Sequence, residues 1–437
     1  MGGRYFLRLQ KFICLTISFV LLCVLLTAYA GTLPSGIPAS AEETESEADE
    51  GYELGNTLTE DMLSDYDYSR LKDADITLNV ANWGEYMSVN DDEYIDVNKA
   101  FEELTGIKVN YTLYASNEEL YAKIKSSGAN YDVVIPSDYM IARMIEEGLL
   151  QKLDFNNIPN YSYIGDAYKG LEYDPTNEYT VPYLWGIVCI VYNTKKVNGE
   201  ITGWKDLWNE AYSSEILMFN NPRDAFGIAL KYLGYSLNTE DTGELAQAAS
   251  LLKKQKPLVQ AYVMDEIFDK MGSGSAAIAP YYAGDVITMM DDNPDLSYCI
   301  PEDGTNRFVD ACAIPVNAEN KEAAEMYINF LNETEIAFTN TEYVGYSTPH
   351  TGAYALLSDE EKENPLRCPD EQYLADHTEV FLNLSEDTNN ELQKLWISLK
   401  IEHSRASWFV PVCLLFAVAA TVLINVRRAR RKKQDIF

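Results

Sequence analysis

The sequence predicts an α/β protein whose mainly parallel sheets are covered on both faces by helices. Three observations predict it. Apolar runs of strand length recur as "ITLNVAN", "IKVNYTLY", "YDVVIP", "IVCIVYN", "ILMFN" and "AAIAPYY". Segments with helical spacing of apolar residues fall between them. The alternation holds from Ala74 to about Lys400, with no internal repeat and no low-complexity tract.

The elements follow in chain order. Arg4, Arg8 and Lys11 precede an apolar run from Phe12 to Leu26 and the small-x-small pattern Ala28-Tyr29-Ala30. Residues 1–30 therefore read as a signal peptide, or as an uncleaved signal anchor, with no lipid attachment expected at Cys23. Residues 31–73, with "SAEETESEADEGYE", read as an acidic, solvated linker preceding the folded part. "ITLNVAN" alternates Ile76, Leu78 and Val80 with polar residues, the period of a half-buried strand. The spacing then predicts helices over Asp96–Leu104, ending at Gly106, over Asn117–Ser127 with Leu120, Tyr121 and Ile124 inward, and over Met140–Leu150, broken around Gly148. At the far end, residues 408–426 ("WFVPVCLLFAVAATVLINV") are apolar over about the length that spans ~30 Å of hydrocarbon. "RRARRKK" follows within 427–437, so the expectation is a transmembrane helix, a basic cytoplasmic tail, and everything before Trp408 outside.

Composition excludes some partners. The chain has 437 residues and a formal net charge of -34, from 68 acidic and 34 basic residues. A nucleic-acid binder needs a basic face, so that class is excluded, whereas a cationic ligand is compatible. Cys189, Cys299, Cys312 and Cys368 lie outside the predicted membrane segments and show no metal-site spacing, and no cofactor is expected. Cys299 and Cys312 flank "PEDGTNRF" and are either paired or free.

In open α/β sheets ligands bind beyond the carboxyl ends of strands. Trp83-Gly84-Glu85-Tyr86 follows "ITLNVAN", Ser137-Asp138-Tyr139 follows "YDVVIP", and Asn221-Pro222-Arg223-Asp224 follows "ILMFN". Tyr282-Ala283-Gly284-Asp285 follows "AAIAPY", and Tyr346 and Ser347 follow "EYVG". Aromatics, carboxylates or both stand at each strand end. Aromatic faces attract an ammonium group by roughly 0.5–2 kcal/mol each while packing on its methylenes. A carboxylate adds a charge-assisted hydrogen bond. The combination suits amines on an apolar stem.

The segments "NWGEYM", "TGIKVNYTLYASNEELYAKI", "YDVVIPSDYMIARMIEEGLLQKLD", "YTVPYLWG", "ITGWKDLW", "ALKYLGYSLNT", "FVDACAIPVNAENKEAA" and "YVGYSTP" together resemble the spermidine/putrescine-binding proteins, the extracytoplasmic solute receptors of polyamine ABC importers. The resemblance runs from about Ile76 to about Lys400 in unbroken order. It implies a two-lobed periplasmic-binding-protein-like fold of type II, with lobe 1 over about 74–185 and 309–354 and lobe 2 over about 186–308 and 355–400. It also implies a monomeric receptor that hands putrescine or spermidine to an ABC permease and its ATPase.

Position by position, the resemblance implies that Trp83, Tyr86, Tyr139, Tyr282, Phe308 and Tyr346 line a slot. It implies that Asp310 and Asp224 anchor ammonium groups, with Asp285 a third or alternative partner. Ser137 and Asp138 stand beside Tyr139, Asn221 stands where several spermidine binders carry aspartate, and Tyr282 replaces a usual tryptophan. Phe308 is the form resembling putrescine binders, and Glu379 in "HTEVFLNL" corresponds to a polar contact. Asn221 and Tyr282 leave ligand length open. Glu85 is expected at the lobe rim, and Trp185, Trp204 and Trp208 as packing residues.

Two rival readings differ in class. An enzyme is not expected, because His350, His377 and His403 sit beside no catalytic pattern, and paired acids such as Glu85 and Asp138 lack a reactive setting. Ferric-ion transport by the same fold would use the phenolate pair Tyr281/Tyr282.

Overall fold

The computed structural model describes Tyr52, residues 55–90 and residues 92–401. The expected signal segment (1–30) and the expected membrane helix and tail (408–437) lie outside the described residues. Among the described residues no helix is long and apolar enough to cross a membrane.

Among the described residues ten strands form one hydrogen-bonded array. They are β1 (Thr77–Trp83), β2 (Lys108–Tyr114), β3 (Val133–Val134), β4 (Thr180–Asn193), β5 (Ile216–Phe219), β6 (Val259–Val263), β7 (Ile278–Tyr282), β8 (Leu296–Cys299), β9 (Thr305–Ala313) and β10 (Thr378–Glu379). Their order is β2-β1-β3-β9-β4-β7-β5-β6, with β8 on β4 and β10 on β9. One wing, β2-β1-β3, is parallel, and so is the other, β7-β5-β6. Between them β4 and β9 run antiparallel to each other, from Thr180 opposite Ala313 to Ile187 opposite Arg307. The expected mainly parallel sheets are thus confined to the wings. The join is antiparallel because the chain must pass from one wing to the other and return.

The cores divide along the same line. Leu78, Val80, Phe101, Val133, Val181 and Tyr327 belong to the cluster under the first wing. Val188, Ile190, Leu217, Phe226, Ile278 and Trp396 belong to the cluster under the second. These are two lobes joined by two crossover strands. Strand β4 is buried along nearly all its length, which explains why its sequence is a continuous apolar run rather than an alternating one.

Helix limits follow local chemistry. Helix α1 (Val97–Thr105) starts at Asp96, whose side chain accepts from Lys99 N–H, and stops at Gly106, where φ is 74°. Helix α2 (Asn117–Lys125) is capped by Ser116 and turns Leu120, Tyr121 and Ile124 inward, as its spacing predicts. Helix α3 (Asp138–Glu146) begins two residues before the expected Met140, which places Asp138 and Tyr139 in its first turn. Helix α4 (Pro222–Tyr232) opens with proline at its first position, and helix α5 (Ala283–Asp292) follows directly on β7.

Two expectations are corrected or settled here. The acidic linker ends earlier than residue 73: Leu58, Leu63, Tyr66 and Leu71 pack on the first lobe and Tyr68 is buried in it. Tyr68 and Ser64 donate to the Glu333 carboxylate at 2.6 and 2.7 Å. These apolar and aromatic side chains outweigh the acidic composition around them. Cys299 and Cys312 are free thiols. Cys312 lies opposite Val181 and Cys299 opposite Ile190 on β4, nine residues or about 30 Å apart along the strand.

Candidate functional site

The strands of both wings end on one cleft between the lobes. Twelve of the thirteen residues expected to bind ligand line it: Trp83, Tyr86, Ser137, Asp138, Tyr139, Asn221, Asp224, Tyr282, Asp285, Phe308, Asp310 and Tyr346. The space it encloses, about 90 Å³, holds several water-sized groups and little more. Tyr114, Asn117, Met264, Asp265, Phe268, Asn306 and Phe381 also line it without having been expected there, and Tyr281 lines it as only the ferric reading expected.

Each polar aromatic is held by a specific acceptor. The Trp83 indole N–H donates to the Ile135 carbonyl at 2.9 Å and the Tyr114 hydroxyl to the same oxygen at 2.7 Å, which fixes two rings 4.7 Å apart. Three phenols each donate to a different aspartate: Tyr86 to Asp310 at 2.6 Å, Tyr282 to Asp224 at 2.9 Å, and Tyr346 to Asp285 at 2.8 Å. The rings of Tyr86, Tyr346, Phe308 and Tyr282 meet in sequence, edge to face, with centroids 5.2, 5.8 and 5.3 Å apart. This gives a continuous aromatic wall studded with carboxylates.

Burial without sufficient hydrogen bonding sets the electrostatics. Asp310 is buried, its pKa is pushed up to about 6 by desolvation, which the nearby Ser137 and Tyr86 hydroxyls oppose, and its Oδ1 has no hydrogen-bond partner. Desolvation raises Asp224 to about 7, with the Tyr282 hydrogen bond opposing it. It raises Asp285 to about 8, aided by the negative charge of Asp265 and Glu85. Asp138 rises to about 8 for the same first reason, but both its oxygens are used: Oδ1 accepts from Tyr139 N–H at 2.7 Å and Oδ2 from Val309 N–H at 3.2 Å. Asp138 thus ties α3 to β9, and Asp310 is left wanting a donor.

The cation already present, Arg223, makes no hydrogen bond to Asp224 or Asp310, although its charge lowers the pKa of Asp224. Arg223 lies over the Phe381 ring at 4.4 Å and the Tyr139 ring at 5.2 Å, and donates to Asn238 Oδ1 and the Leu382 carbonyl. Tyr139 is therefore engaged by protein as well as lining the cleft; its hydroxyl also donates to Glu118 at 3.1 Å. Asn221 caps α4, its side-chain oxygen accepting from Arg223 N–H at 2.9 Å.

Contacts across the cleft hold the lobes together. Tyr346 of the first lobe packs so closely on Gly284 of the second that a Cβ there would fall 1.5 Å from its ring. Gly345, at φ 79°, is itself against the Gly284 carbonyl. A Cβ at Gly84 would likewise meet Asp265 across the gap at 2.5 Å.

Glu379 does not line the cleft: it pairs with Lys231 and accepts from Ser236 Oγ at 2.5 Å and Leu237 N–H at 3.1 Å. It sits on β10, beside Thr305 and Asn306 rather than past the end of β9. Glu85 is exposed at the rim with φ 51°. Trp185 and Trp204 are buried packing residues, and Trp208 packs against the second core. His350 is buried, pushed down to about 4 by desolvation, and its Nδ1 accepts from Ala353 N–H at a helix start. The ferric reading is not favoured, because the Tyr282 hydroxyl is committed to Asp224 and burial raises both phenols well above their ordinary pKa, whereas iron needs phenolates. No group of three or more His, Cys, Asp or Glu suited to a metal ion occurs among the described residues.

Some unexpected lining residues carried a signal. Asn306 shares the strand face of Phe308 and Asp310, so alternation on β9 points to it. Tyr114 ends β2 as Trp83 ends β1. Met264 and Asp265 follow β6, whose sequence "VQAYV" is too short and mixed to stand out.

A two-lobed α/β clamp with a cleft at its strand ends defines a solute-binding receptor, and residues 129–377 match the sequence profile of bacterial extracellular solute-binding proteins. The chain is 36% identical over 302 residues to the spermidine/putrescine-binding periplasmic protein of Salmonella typhimurium, covering 68% of this chain and 85% of that one. It is 31% identical over 342 residues to the putrescine-binding periplasmic protein SpuD of Pseudomonas aeruginosa, covering 74% and 91%. A solved structure described as a putative spermidine/putrescine ABC transporter from Listeria monocytogenes superposes with a TM-score of 0.71 at 35% identity, covering 75% of this chain and 99% of that one. The chain belongs to the spermidine/putrescine-binding family of extracellular solute-binding proteins, which are transport receptors and not enzymes.

Proposed function

We infer that the protein is an extracytoplasmic receptor that captures a polyamine between its lobes and delivers it to an ABC permease driven by a cytoplasmic ATPase. The observation that carries this reading is the unpaired Oδ1 of Asp310, buried at the end of a wall formed by four aromatic rings. Asp310 anchors one ammonium group. Asp224 takes the other, with Asp285 as an alternative, while Trp83, Tyr86, Tyr282, Phe308 and Tyr346 cover the methylenes. Ser137, Asp138, Tyr139 and Asn221 shape the slot through their hydrogen bonds to backbone and neighbours.

The receptor acts as a monomer. Residues 408–426 anchor it in the membrane with the basic tail inside, which raises its effective concentration near the permease. Closure follows from the Tyr346–Gly284 contact: amine binding neutralises the aspartates that the two lobes bring together. Calorimetric titration of the purified full chain with putrescine, cadaverine, spermidine and spermine tests the reading. Saturable binding of at least one amine is expected, and no heat from any of them at several temperatures would reject it.

A further inference from the structure

The crossover strands have two faces, and the far one bounds a second, larger cavity. On β9, Asn306, Phe308 and Asp310 line the interlobe cleft, whereas the alternate residues Arg307 and Val309 line a cavity behind it. Trp185 of β4 lines the same rear cavity. Its volume is about 750 Å³, against about 90 Å³ for the cleft, and is of the size that holds a small organic molecule. Its walls come from the first lobe at Tyr168 and Leu171 and from the later segment at Leu357 and Leu374.

Two polar groups there are unsatisfied. The Trp185 side chain is 7% exposed, and its indole N–H has no hydrogen-bond partner. The Arg307 side chain makes no hydrogen bond or ion pair among the described residues, in a chain with net charge -34. The other charges at the cavity are accounted for. Arg367 is held by Glu342 and Glu361 at 2.5 and 2.6 Å, and Asp370 caps a helix by accepting from Gln372 and Tyr373 N–H. Lys362 donates only to the Ala355 carbonyl, at 3.2 Å, and stands 6.0 Å from the Tyr354 ring centroid. Glu371 is exposed and is the one opposing charge left.

We propose that this rear cavity is a second small-molecule site, for a carboxylate carried on an apolar or aromatic body. The carboxylate takes Arg307 and Lys362, a polar atom of the ligand accepts from the Trp185 indole, and the body packs on Tyr168, Leu171 and Leu357. Such a ligand touches both crossover strands from the side opposite the cleft. The site stands independently of what the cleft binds.

The test uses the full chain, labelled with 5-fluorotryptophan and free of polyamine, with phenylacetate as the probe and ¹⁹F NMR as the readout. Trp185→Phe identifies the Trp185 signal. Phenylacetate is expected to shift that signal saturably, with a dissociation constant on the order of millimolar for so small a ligand. Arg307→Gln and, separately, Lys362→Gln should each weaken the titration about fivefold or more, while wild type remains unmoved by the uncharged analogue phenylacetamide. No shift with phenylacetate, an equal shift with phenylacetamide, or unchanged titrations in both variants would overturn the proposal.

Discussion

Buried carboxylates occur in two regions of this molecule, and equal burial hides opposite roles. Asp174 and Asp132 in the body of the first lobe are each 2% exposed, and Asp224 and Asp310 in the cleft are each 5% exposed. Asp174 accepts from the backbone N–H groups of Glu178, Tyr179 and Thr180 and from the Thr180 hydroxyl. Asp132 accepts from the N–H groups of Asn79, Glu319 and Asn320. Asp224 and Asp310 each accept from one tyrosine hydroxyl, and Asp310 Oδ1 accepts from none. The first pair pins loops to the fold; the second pair receives few donors from the chain, which is what the proposed amine site requires.

Exchanging one residue of each pair should separate the roles. Asp310→Asn is expected to weaken putrescine binding about 30-fold or more, since truncating one partner of a buried charge pair costs about 2–5 kcal/mol. Its midpoint in urea should not fall, because the replaced group was an under-satisfied charge; calorimetry and urea melts read both. Asp174→Asn should show the reverse. Losing acceptor strength at four donors is expected to cost about 2–3 kcal/mol of stability, with amine affinity of the folded protein unchanged. Equal affinity losses in the two variants would erase the distinction.

Gly284→Ala sharpens the comparison from the geometric side. It leaves every carboxylate in place but displaces Tyr346 from its seat and from Asp285. An affinity loss of about tenfold is expected, or about 1.4 kcal/mol, by isothermal titration. A smaller effect still should follow from pH. Burial raises Asp310, Asp224 and Asp285 above the ordinary carboxylate value, so the folded empty protein binds more protons than the unfolded chain between about pH 4 and 8. Their contribution to stability therefore falls as pH rises through about 6 to 8, and is restored on acidification. Asp310→Asn with Asp224→Asn should flatten that slope in urea melts of unliganded protein. Glu379→Gln, outside the cleft and paired with Lys231, is expected to leave affinity within about threefold.

Much of this was legible along the chain for a physical reason. Strand ends carry their own mark, since periodic apolar residues stop and Trp83, Ser137, Asn221 or Tyr282 begin. The alternation of β9 extends the same logic to Asn306. Other parts depend on partners distant in sequence. Phe381 reaches the cleft wall from beyond a helix, and Glu379 is withdrawn from it by Lys231, a residue 148 positions earlier. The acidic stretch before residue 74 reads as solvent-facing until Tyr68 is seen to donate to Glu333. Nothing in "FVDACA" alone distinguishes the Oδ1 of Asp310, left open, from the satisfied oxygens of Asp138; that difference is made by the turn of α3 beside β9.

The central claim is that the cleft keeps protonatable aspartates ready for a cationic amine. Calorimetry of putrescine binding to the full chain at pH 6.5, in two buffers of different ionisation enthalpy, tests it most directly. With Asp224 near 7 and Asp285 near 8 in the empty cleft, binding a dication should expel at least about one proton, and affinity should rise from pH 6 to 8. Binding with no proton release, or with proton uptake, would contradict the account.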